Sequence, residues 1–133
     1  MEVTPQAHDA ALWAGLNLIL LLVLSVRVVR ARRRHGVTLG DADIPELAQA
    51  VRAFGNATEY IPAGLIGLAI LAMAGAPAPL VHLAGFILFA GRLAHAVGLS
   101  RSGGSSWARS VGAVMTWVAY ILTAVALVFY AIP

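Results

Sequence analysis

Of the chain's 133 residues 60% are hydrophobic and 11% charged. A soluble domain carries about 25% charged residues, so the composition excludes a soluble globular protein and the length gives one integral membrane domain. All nine basic residues are Arg, against six acids and a formal net charge of +3; they cluster at predicted helix ends and loops, which makes them topology signals and excludes a nucleic-acid partner. The absence of cysteine excludes disulfides, thiolate metal sites and a cysteine nucleophile, and no metal-ligating set is expected.

The N-terminus lacks the positive start of a secretory signal, and the Arg cluster follows the first apolar segment, so the first helix is expected to stay as an anchor. That helix is predicted over about residues 9–29, with no charge between Asp9 and Arg27, enough to cross a hydrocarbon core of about 30 Å. Trp13 fits an interfacial aromatic, and Asn17 is a lone polar group for a neighbouring helix to satisfy. The stretch from Arg27 to Glu46 reads as a loop. Its Arg27, Arg30, Arg32, Arg33 and Arg34 place it in the cytoplasm, beside anionic lipid, and the N-terminus outside. Asp43 is expected to cap the next helix, with Pro45 at its first or second position and Glu46 in its first turn.

The second helix, about residues 45–74, is long for one crossing, and its first turns are expected to project from the membrane. Arg52, Asn56 and Glu59 fall on it at i, i+4 and i+7, one polar face in an apolar protein. Pro62 is expected to kink it just beyond that face. After a tight turn over Ala76 to Pro79, the third helix covers about residues 80–99, with Arg92, His95 and Leu99 again on one face; His82, near its outer end, has no neighbour in the sequence that suggests a function. The segment from Ser100 to Arg109 reads as a second cytoplasmic loop, containing Arg101 and Arg109. A fourth helix, about residues 107–132, carries Trp117, Tyr120 and Tyr130 for packing or interface anchoring. The fold class is therefore all-α, a bundle of four transmembrane helices with both termini outside.

Ionisable groups at membrane depth cost roughly 2.5–3.5 kcal/mol each on insertion scales and mark interior sites. Arg52, Arg92 and Arg109 against Glu59 leave two positive charges unmatched, with Asn56, Tyr60 and His95 nearby. A bound anion is the simplest way to neutralise them. A ligand with two carboxylates and an ammonium suits this set, Arg taking the carboxylates and Glu59 the ammonium, and glutathione has that charge pattern. Other readings stay open: Glu59 and Arg92 as a structural ion pair, His95 as a hydrogen-bonded interior histidine, and Tyr60 in packing or in a neighbouring subunit's site.

The string Arg52, Asn56, Glu59, Tyr60 and Pro62 resembles the second-helix signature of the MAPEG superfamily, the membrane-associated proteins in eicosanoid and glutathione metabolism. The resemblance extends to the Arg-rich first loop, the Arg on the third helix and the second basic loop, and is closest to small bacterial members. It implies a four-helix bundle that forms a homotrimer in the inner membrane, with glutathione as cosubstrate bound between subunits toward the cytoplasmic side. Arg52, Asn56, Glu59 and Tyr60 match family glutathione contacts, Arg92 matches the third-helix Arg, and His95 lies among them. Arg109 matches the residue that stabilises the thiolate, with Arg101 as a rival. Members with established eicosanoid chemistry carry Tyr where this chain has His95 and Leu99. The expectation is a glutathione-dependent transferase or peroxidase acting on a lipophilic small molecule; the alternative is a non-catalytic membrane protein that binds a lipid or anionic metabolite. A small multidrug transporter fits poorly, because the first helix has no acid between Asp9 and Arg27.

Overall fold

Four long helices make up the fold of the computed structural model, which describes residues 5–101, 104 and 106–132. They are α1 (Pro5–His35), α2 (Pro45–Met73), α3 (Ala78–Arg101) and α4 (Trp107–Ala131). Each is long and apolar enough to cross a membrane. Within the expected second loop, Ser102, Gly103 and Ser105 lie outside the described residues, as do Met1 to Thr4 of the N-terminal segment.

The Arg cluster is not a loop. α1 continues through Arg27, Arg30 and Arg32 to His35, with Arg32, Arg33, Arg34 and His35 in its last turn. Arg is a good helix former, and positive charge in a last turn is favoured by the helix dipole. The helix stops at Gly36, whose φ of 65° is left-handed, and the Val37 N–H reaches back to the Arg32 carbonyl at 3.0 Å. That is the Schellman pattern, for which glycine is the usual residue. Beyond it, Arg34 and His35 both reach Glu46, at 3.0 and 3.1 Å, and so tie the end of α1 to the start of α2.

Asp43 does not cap α2. The cap position is Ile44, with no side-chain cap bond, and Pro45 follows at the helix start. Asp43 sits one residue earlier at a φ of 58°, and the Asp41 carboxylate accepts from its N–H instead; a left-handed backbone one residue before the cap position leaves the Asp43 side chain out of capping geometry. Pro62 lies inside an unbroken α2. Asn17 is buried, and its amide donates to its own helix, to the Trp13 carbonyl at 2.8 Å, instead of to a neighbour.

α3 and α4 make the most extensive contact, α1 and α2 the next, while α1 and α4 do not pack on each other. The α3–α4 seam is a backbone contact. A Cβ on Gly112 would collide with the His95 N–H and the Gly91 carbonyl, and one on Gly98 would lie 2.6 Å from the Arg109 backbone nitrogen. Small residues permit such close approach in lipid, where dispersion between well-packed surfaces replaces the hydrophobic effect as the driving force. Apolar residues including Leu24, Ala57 and Ile61 pack at the level of the polar residues, and a second layer with Leu68, Leu71 and Val81 fills the bundle beyond them.

Candidate functional site

The tight α3–α4 seam sets the geometry of the polar residues. Arg92 follows Gly91 on α3 and is 2% exposed. Its Nε donates to Thr116 Oγ1 on α4 at 2.9 Å, and one terminal nitrogen donates to Asn56 Oδ1 on α2 at 2.8 Å. The guanidinium carbon lies 4.9 Å from the centre of the Tyr60 ring, a cation–π contact. Three helices thus converge on one cation. All of these partners are neutral, and no carboxylate pairs with Arg92 among the described residues.

The i, i+4, i+7 face of α2 forms a chain of contacts. Arg52 pairs with Glu59 Oε1 at 2.9 Å, and Asn56 Nδ2 reaches Glu59 Oε2 at 3.4 Å. Glu59 therefore pairs with Arg52 on its own helix, and the structural ion pair with Arg92 considered from sequence does not form. The physical reason is reach: Asn56 stands between them and takes Arg92 on its oxygen and Glu59 on its nitrogen. Both members of the Arg52–Glu59 pair are about half exposed, so the pair contributes at most ~1 kcal/mol and opens readily to a competing ligand.

His95, one turn beyond Arg92, is buried beside the α4 backbone at Gly112. Arg92, Arg109 and Arg52 are the charges that act on it electrostatically. Arg109 is half-buried at the start of α4, and its backbone N–H is capped by Ser106 Oγ at 3.3 Å. Arg101, its rival, is exposed in the last turn of α3. Leu99 is buried on the same α3 face.

Of two further residues of this cluster, Thr116 escaped the sequence reading and Tyr120 was read there only as a packing or interface residue. Thr116, fully buried, accepts from Arg92 while its hydroxyl donates to the Gly112 carbonyl at 2.8 Å. Tyr120 donates its hydroxyl to the Tyr60 carbonyl, near the Gly64 N–H, and its ring lies 6.1 Å from that of Tyr60. Tyr60 is thus held by Arg92 and Tyr120 of the same chain. The available signal was the row Gly112, Thr116 and Tyr120 at i, i+4 and i+8, one stripe down α4.

From Tyr120 an apolar groove of about 230 Å³ runs along α2 and α4, lined by Ala63, Gly64, Gly67, Leu88, Tyr120 and Thr123 among others. The buried Arg92 cluster thus adjoins an apolar cleft. A sequence model of the MAPEG family matches residues 10–129. The chain belongs to the MAPEG family.

Two members from Escherichia coli are close in sequence. The inner membrane protein YecN of strain K12 is 40% identical over 121 residues, which cover 91% of each chain. YecN of strain O6:H1 CFT073 gives the same figures. With four helices that qualify as membrane spans, this MAPEG protein is, like YecN, an integral protein of the bacterial inner membrane.

Proposed function

We propose that the protein is a glutathione-dependent membrane transferase or peroxidase for lipophilic electrophiles, working as a homotrimer with glutathione bound between subunits near the cytoplasmic Arg-rich end. The observation that carries this reading is Arg92: a buried guanidinium whose side-chain partners are all neutral, one turn from His95, on which Arg52 and Arg109 also act. A cation held in apolar surroundings without a counter-ion is costly, and an anionic ligand offsets that cost. Membership of the MAPEG family adds to it.

In this reading Arg92 and Arg52 receive the two carboxylates, and Glu59 exchanges its Arg52 contact for the ligand's ammonium. Arg109 stabilises the thiolate: a cation beside a thiol favours the charged form, and the proton leaves to solvent. The sulfur then forms its bond to the electrophilic atom, and the displaced group departs with the bonding pair. The apolar groove beside Tyr120 supplies a route from the bilayer for the second substrate. With His95 and Leu99 in place of two phenols, the guanidinium groups take the larger share of binding.

Titration calorimetry of the detergent-extracted protein tests the reading. Heat of glutathione binding at or below millimolar concentration is expected, and its absence removes the proposal. Arg109→Ala should retain binding while losing the ultraviolet absorbance of the bound thiolate. Glu59→Gln should weaken binding about fivefold, the ~1 kcal/mol ceiling for a half-exposed pair.

A further inference from the structure

The end of the bundle remote from the Arg cluster carries a second set of polar contacts. Asp9 and Trp13 on α1 both face His82 on α3. His82 Nε2 lies 2.9 Å from Asp9 Oδ1, and the Trp13 indole N–H donates to His82 Nδ1 at 3.1 Å. The two rings meet edge to face, with centres 6.0 Å apart.

An indole nitrogen can only donate. Nδ1 must therefore be the lone-pair nitrogen, and the single proton of the neutral imidazole sits on Nε2, where Asp9 accepts it. Both ring nitrogens are engaged and the tautomer is fixed by its neighbours. A second proton has one place to go, Nδ1, and there it sets an N–H against the indole N–H. The Trp13 hydrogen bond cannot survive that change. Trp13 has little room to adjust, because its ring lies directly against Gly85, with Phe86 and Phe89 at 6.0 and 6.4 Å. The second Asp9 oxygen is buried with no partner in the described structure and is available to an imidazolium that turns.

We propose that Asp9, Trp13 and His82 form a proton-responsive joint that sets how α1 docks on α3. Among the described residues the surroundings bring few other titratable groups. On α1, His8 next to Asp9 is exposed. From α2 the packed residues here are Leu68, Leu71 and Ala72, and from α4 Leu122, Ala126, Leu127 and Tyr130, the Tyr130 phenol being the one titratable group they bring. Arg92 is the next charge along α3, ten residues and about 15 Å further on, so the joint is separate from the anion site.

Trp13 reports on the joint directly. Phe replaces Trp107 and Trp117, which are 81% and 53% exposed, so that Trp13 is the sole indole. Its emission should then change on acidification, and the change should be lost when His82→Gln is added. Emission that stays flat, or that changes equally in the His82→Gln protein, overturns the proposal. As a check that needs no variant, nitrogen NMR of histidine-labelled wild-type protein should find the His82 proton on Nε2 at about pH 8, with the Trp13 indole N–H resonance moving on acidification. A proton on Nδ1 at about pH 8, or an indole resonance that does not move, equally refutes it.

Discussion

Gly112→Val is expected to lower the unfolding stability of the detergent-solubilised protein by about 3 kcal/mol, the upper end for overpacking a close contact. The atoms a Cβ would strike are the His95 nitrogen and the Gly91 carbonyl, both backbone, so no side chain can rotate away and α3 and α4 must separate. That separation also pulls Thr116 from Arg92. Thermal or denaturant unfolding followed by near-ultraviolet circular dichroism measures the effect. Gly15→Ala is the control, since nothing lies within 4 Å of its added Cβ; a helix-interior Gly replaced by Ala should gain roughly 0.5–1 kcal/mol. Equal behaviour of the two variants would mean that the seam is not a backbone contact.

On the proposed function, Arg92→Met is expected to reduce glutathione affinity by about 10- to 150-fold, the 1.5–3 kcal/mol of hydrogen bonds to a charged group, while leaving the bundle folded. The stability terms oppose each other. Removing a buried charge is favourable, whereas Asn56 Oδ1 loses its donor at about 1–3 kcal/mol. Arg92→Met combined with Asn56→Leu removes the orphaned acceptor as well and should recover stability but not binding. If the single variant binds glutathione as wild type does, Arg92 is a structural residue and the anion site lies elsewhere.

The transmembrane design was open to reading because its signals are local and strong. Apolar runs of about twenty residues, the Arg positions and the α2 spacing of Arg52, Asn56 and Glu59 each follow from chain chemistry without tertiary information. The errors arose where the chain leaves the bilayer. Arg27 to His35 look like a loop by charge, yet charge does not break a helix; Gly36, with its left-handed backbone, does. Asp43 has a good capping side chain but the wrong backbone for it. Within the site, Arg92, Asn56 and Tyr60 were visible and Thr116 was not, since it matters only once Gly91 and Gly112 bring α3 and α4 together. His82 looked isolated because Asp9 and Trp13 approach it from more than sixty positions away.

The absence of an α1–α4 contact bears on biogenesis. The strongest packing joins sequence neighbours, so the chain is two helical hairpins, and the polar cluster straddles the seam between them. Asn56 belongs to the hairpin synthesised first, and Arg92 and Thr116 to the second. The second hairpin can therefore enter the bilayer with its guanidinium already bonded to Thr116, shielding part of the charge during insertion. Asn56 then acts as the docking partner that brings the late hairpin into register with the early one.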